Sequence, residues 1–247
     1  MKMRRLLVLS LVIGLITIRP PSAPAQLRDF LKSIGETLRG KELSESKIIQ
    51  GLKEALRIGT ANAVGIVSQL DGYYRSPQIH IPLPDSVKKV EKLLRTVGFG
   101  PKVDAFELSM NRAAERAAPE AKALFLNAIK QITFSDARKI LQGRDNEATF
   151  YLEDKTRGRL HELFKPIVHT AMSEVGVTRS YQELDAKVRN IPFAERMSFD
   201  LDEYVTNKGL DGLFFMVAEE ERKIRQNPAA RVTDLLKEVF GGKSRGN

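Results

Sequence analysis

The sequence predicts an all-α fold, a single-domain multi-helix bundle over residues 26–242, and three observations carry that expectation. Apolar residues recur at three- and four-residue steps through most of the 247-residue chain, which is the spacing of one buried helix face. Residues that start and stop helices, chiefly Ser, Thr, Asp, Asn, Pro and Gly, stand near the ends of these periodic stretches. The chain is 42% apolar and 29% charged and contains no cysteine, so it has the material for a core and must hold together by packing rather than by disulfides or thiolate-bound metal. Cysteine nucleophiles, cysteine-held iron–sulfur clusters and a lipid-modified N-terminal cysteine are excluded at the same stroke.

The chain opens with an address. Lys2, Arg4 and Arg5 precede an apolar run over residues 6–18, followed by Pro20, Pro21 and the small residues Ala23 and Ala25. This is the layout of a signal peptide, with cleavage expected after Ala25. Its apolar run is 13 residues long, short of the roughly 20 that a spanning helix needs. A periplasmic or secreted product is expected, with no transmembrane anchor after signal cleavage. Lys2, Arg4, Arg5 and Arg19 leave with the leader, lowering the formal charge from +9 to +5. That is a weak basis for nucleic-acid binding, and no nucleic acid is expected as a partner. A G-x-x-x-x-G-K-[ST] phosphate loop is absent.

Ser44 precedes the first long helix, of about 25 residues, with Ile48, Leu52, Leu56, Val64 and Val67 on its apolar face. Within it Gly51, Ala55, Gly59 and Ala63 fall every fourth residue, a nearly bare face that lets another helix cross closely or floors a ligand groove. Asp71-Gly72 ends this helix and opens the least regular stretch, residues 73–84. There Ile79, Ile81 and Leu83 alternate with His80, Pro82 and Pro84, a strand period that the prolines confine to a sheet edge. Met197, Phe199 and Leu201 alternate in the same way, so a short two-stranded β pairing of residues 79–83 with 197–201 is expected.

Helical spacing resumes at Asp85 and runs to Val97, with Lys88, Lys92 and Arg95 in a row. Such a row can meet phosphate or a lipid head group, although it is ordinarily a solvated face. Gly98 and Gly100 break the helix. Pro101 suits the first turn of the next, whose buried stripe is Val103, Phe106, Met110, Ala113 and Ala117. Pro119 starts another, and Thr133 caps a short one with Asp136 in its first turn. A long helix follows over residues 147–175, with a kink expected at Pro166. Asp200 and Glu203 form a capping-box-like start to the last long helix, in which residues 213–218 are apolar on all sides and are expected to be buried. Asn227-Pro228 opens a terminal helix that ends at Gly241-Gly242, and residues 243–247 are expected to fray.

Three sets of residues are candidates for function. Tyr73, Tyr74, Ile79 and Ile81, in a long loop on a helical scaffold, suit ligand binding, or else they cap the core. Asp211, flanked by Gly209 and Gly212 at the edge of an apolar stretch, must find a donor or shift its pKa upward if it is buried. Glu107, Asn111 and Glu115 stand four apart, with Arg112 beside them. They could move a proton or bind a cation if desolvated, or form a boundary row of solvated or ion-paired groups. His161 and His169 are eight residues apart, which turns their rings about 80° from one another on a helix, a poor start for zinc. No metal and no cofactor are expected.

The segments FELSMNRAAERAAPEA (residues 106–121), DLDEYVTNKGLDGLF (200–214) and PAARVTDLLKEVFG (228–241), together with IPLP at 81–84, resemble a bacterial family of exported proteins known as domain of unknown function four-one-nine-seven. The likeness covers nearly all of the mature chain, with long segments in the expected order. It implies a single helical domain in the bacterial envelope and brings no activity, substrate or catalytic residue with it. The family's D-G-L signature corresponds to Asp211-Gly212-Leu213. Gly209 is a departure, standing where most members are expected to have alanine.

The expected function is therefore non-catalytic binding of an envelope protein or an apolar ligand near residues 73–84. An alternative is a carboxylate-dependent hydrolase using Asp211, or Glu107 with Glu115, as acid and base. A third is electrostatic attachment to anionic lipid.

Overall fold

Residues 45–174 and 200–227 are described by the computed structural model. The leader, Met197, Phe199 and the terminal helix after Asn227 lie outside the described residues. Helix α1 (Glu45–Val67) buries Leu52, Ala55, Leu56, Ala63, Val64 and Val67, one face of a 3.6-residue repeat. Its small residues serve helix crossing: a Cβ at Gly59 would sit 3.6 Å from Glu220 Cβ and 3.6 Å from Ile224 Cδ1.

Helix α2 (Asp85–Leu94) is short and largely exposed. It passes through a π-helical turn, Arg95–Phe99, into α3 (Gly100–Ala117), and the chain turns where Gly98 takes a φ of 88°, a left-handed angle that glycine adopts without strain. The glycine break lies where the sequence places it. A single 3-10 turn leads to α4 (Ala121–Lys130), and α5 (Phe134–Gln142) follows with Thr133 and Asp136 forming a reciprocal capping box. Helix α6 (Glu147–Glu174) runs on through Pro166, and α7 (Leu201–Gln226) starts with the Asp200 carboxylate accepting from the Glu203 amide. Among the described residues no helix is long and apolar enough to cross a membrane.

Helix α7 is the central element, packing on α1, α3 and α6. Between it and α3 the fit depends on alanine: Ala113, Ala114 and Ala117 are fully buried, and a Cβ at Gly209 would come within 3.3 Å of Ala114 Cβ. Phe125 and Phe214 meet edge to face, their ring centres 5.7 Å apart. Residues 213–218 are only partly inside. Leu213, Phe214 and Val217 are buried, while Phe215 is 40% exposed, because a helix on the rim of a bundle keeps one face in solvent whatever its residues.

The expected β pairing is absent. Residues 79–84 are extended in part but form no strand, and Leu201 opens α7. The alternation of Ile79, Ile81 and Leu83 does mark one buried side, since all three are in the core. The hydrogen bonds that a partner strand would supply come instead from a side chain of α3, described below.

Two substitutions test the packing in opposite directions. A Cβ at Gly212 would lie 2.7 Å from Tyr73 Cε1 and 3.0 Å from Ile79 Cβ, so Gly212→Ala is expected to destabilise by roughly 1–3 kcal/mol. Gly158, exposed within α6 with open space at its Cβ, should behave oppositely, Gly158→Ala gaining up to about 1 kcal/mol of helix propensity. Chemical denaturation of both variants checks this. The Thr206 hydroxyl is buried without a hydrogen-bond partner, so Thr206→Val should hold or raise the denaturation midpoint, by roughly 1 kcal/mol of relieved desolvation.

Candidate functional site

The structure brings most of the sequence candidates to one place, where the loop of residues 71–84 lies on the Glu107, Asn111, Glu115 row of α3. Glu115 is buried. Its Oε1 accepts from the Tyr73 amide at 3.0 Å and the Tyr74 amide at 3.2 Å, and its Oε2 from Arg112 Nη1 at 2.6 Å. Arg112 also donates to Asp71, whose φ of 67° makes the turn out of α1, and its guanidinium stands 5.8 Å from the Tyr74 ring centre. Asn111, fully buried, accepts from the Ile81 amide at 2.8 Å and donates to the Ile81 carbonyl at 2.9 Å. Its amide thus pairs with that residue as a neighbouring strand would.

His80 completes the row. Its Nε2 is 3.0 Å from Glu107 Oε1 and its Nδ1 is 2.7 Å from the Tyr74 carbonyl oxygen. Both neighbours are acceptors, and the doubly protonated ring donates to both. Tyr73 is fully buried, donating its phenol to the Gly209 carbonyl at 2.6 Å. Burial first, and then the carboxylates of Glu115 and Asp211, push the phenol's pKa far up, so it stays a donor. Ile79 and Ile81 are buried beside it, and Tyr74 is half-buried.

Asp211 sits elsewhere than the core edge expected of it. Its side chain is 53% exposed and accepts from Arg157 of α6 at 2.6 Å. His161 and His169 are each bonded to a carboxylate of α7, Glu203 and Asp202 respectively.

A second feature lies between α1, α6 and α7. A narrow apolar slot is lined by Leu52, Leu56, Gly59, Ala148, Val217 and Ile224, with the Glu221 and Arg225 side chains in its wall. About 20 Å³ is open to the centre of a water-sized sphere, room for roughly one water molecule or the tip of a side chain. Glu221 accepts from the Ala148 and Thr149 amides in the first turn of α6 and from the Thr149 hydroxyl. Arg225 joins Glu221 to the Ile140 carbonyl near the end of α5. The sequence reading singled out Gly59 but missed this pair. A signal was available: Glu221 and Arg225 are one turn apart and interleaved with Val217 and Ile224, so part of the acidic run had to face inward.

A family model described as "Protein of unknown function (DUF4197)" matches residues 42–241. Neither the curated proteins nor the solved structures contain a match.

Two measurements test this geometry. Asn111→Leu leaves both backbone groups of Ile81 without their partner in the interior, at a cost of roughly 1–3 kcal/mol for each. A large fall in the denaturation midpoint is expected, with α-helical circular dichroism retained at low denaturant. Glu203 governs the response to acid. The Lys165 ammonium, and then Asn207 and His161, hold its carboxyl down at about 2, against an ordinary 4.5. A carboxyl depressed in the folded state stabilises the fold above its unfolded value, and that contribution is lost as pH falls towards the folded one. Thermal midpoints should therefore drop between about pH 4.5 and 2, and Glu203→Gln should flatten the curve in that window.

Proposed function

The chain belongs to the DUF4197 family, whose model spans most of its length, and from that premise we propose that it is a non-catalytic protein of the bacterial envelope that works by binding a partner. One observation carries this reading: the polar side chains placed best for chemistry are engaged in holding the loop. General acid–base catalysis needs carboxyls within reach of a substrate proton. Both Glu115 oxygens already accept hydrogen bonds, Glu107 faces His80, and Asp211 is bonded to Arg157. The leader of residues 1–25 supports placement in the periplasm or outside the cell.

The surface offers a place for a partner. Phe215, 40% exposed, rims a hollow with Gln78, Met216, Glu219 and Lys223. An exposed aromatic beside a methionine and a polar rim is the make-up of a protein-binding patch. A second reading, an apolar ligand, is favoured by the slot over Gly59, whose width suits the end of one alkyl chain.

Native mass spectrometry of the protein isolated from its own envelope tests both. A retained protein partner is expected. Phe215→Ser should lower retention at least tenfold, the scale of one anchor residue, while changing stability by no more than about 0.5 kcal/mol. Glu107→Gln and Asp211→Asn should leave retention unchanged. A retained molecule of lipid mass would favour the slot, and a bare monomer would overturn binding altogether.

A further inference from the structure

We propose that the turn joining α2 to α3 is a contact for an anionic lipid surface, Lys88 and Lys92 meeting the head groups while Leu93 and Val97 enter the interface. The inference goes beyond the binding reading above and uses none of its residues. No side chain of the turn Arg95–Phe99 is buried, and a Cβ at Gly98 would meet nothing within 4 Å, so this segment contributes nothing to the interior. Yet it carries apolar groups. Leu93 is 42% exposed and Val97 57%; they are four residues apart, which puts them on adjoining turns of the same side.

The charge around them is one-sided. Residues 88–102 include Lys88, Lys89, Lys92, Arg95 and Lys102 against the single acid Glu91. Arg95 is held in place, 2.9 Å from Glu91 and 2.8 Å from Asp104, and stiffens the base of the turn. Lys88 and Lys92 are exposed and one helical turn apart, on the strip beside Leu93 and Val97. Lysine stems lie along apolar surface while their ammonium groups reach for phosphate, and an element combining a basic strip with exposed aliphatics binds in the plane of a membrane interface. Charge complementarity alone would equally serve an acidic protein. The aliphatic pair next to the lysines is what selects a lipid surface.

Co-sedimentation of the full chain, as its own host makes it, tests this with phosphatidylcholine vesicles containing or lacking about one-third phosphatidylglycerol. Binding to the anionic vesicles should be at least tenfold stronger and should weaken in high salt. Each lysine near such a surface is worth about fivefold, so Lys88→Gln with Lys92→Gln should reduce binding by about tenfold or more. Leu93→Ser with Val97→Ser should reduce it several-fold at an unchanged unfolding midpoint, both side chains being exposed. Equal binding to the two vesicle types, or undiminished binding by either double variant, would overturn the proposal. Loss with the lysine pair alone, together with competition by inorganic phosphate, would also overturn it and point to a simple anion contact.

Discussion

An irregular segment can enter a protein interior only if its backbone amides and carbonyls find partners there. Residues 71–84 cannot use one another as a helix would, and the rest of the architecture follows from how they are satisfied. Glu115 takes the Tyr73 and Tyr74 amides, Asn111 takes both groups of Ile81, His80 reaches the Tyr74 carbonyl, and Tyr204 donates to the Pro82 carbonyl at 3.0 Å. With its polar groups met, the loop can deliver Tyr73, Ile79, Ile81 and Leu83 to the core. Helix α7 in turn must stay thin where the loop crosses it, and Gly212 is the point at which no methyl group would fit.

Helix ends are handled in the same way, by side chains from other helices. Glu221 of α7 puts a carboxylate on the first-turn amides of α6, where the helix dipole favours negative charge, and Arg225 puts a cation near the end of α5, where it favours positive charge. Lys53 of α1 does the same for α4 through the Lys130 carbonyl at 2.8 Å. Buried ion pairs repay their desolvation only when further hydrogen bonds complete them. Glu221, with two amides, a hydroxyl and a guanidinium around it, meets that condition. The interior charges are thereby joints between elements, which is why the acidic character of α7 does not amount to a reactive cleft.

The helices were legible in the sequence because each needs only one apolar face, and that face repeats whatever lies opposite. Thr133, Asp200 and Gly98 were legible too, since capping and chain reversal depend on the residue itself. The loop was not. Ile79, Ile81 and Leu83 announced a buried edge, but the same alternation arises whether the facing partner is a strand or one asparagine 30 residues away, and spacing carries no information about that partner. The row Glu107, Asn111, Glu115 was found as a row, while its role depended on which element would lie over it. Asp211 invited attention through its glycine neighbours, yet Gly212 is small to admit Tyr73 and Ile79, and the carboxylate itself turns out to Arg157.

The clamped loop also explains how an exposed segment can be held in a definite place. Helix α2 begins directly after Pro84, at the end of the loop, and its inner side is pinned by Val87 and Leu94, both essentially inaccessible to solvent. At its far end α3 returns to the core through Val103 and Phe106. The turn between them is therefore supported at two bases while its own side chains face outward. A turn that had only to reverse the chain would be most soluble with polar residues at Leu93 and Val97, since exposed aliphatic side chains bring hydration cost without any packing gain. Keeping them beside a row of lysines is reasonable on physical grounds if something outside the molecule covers them, and the rigid support makes that covering surface meet the same few residues each time.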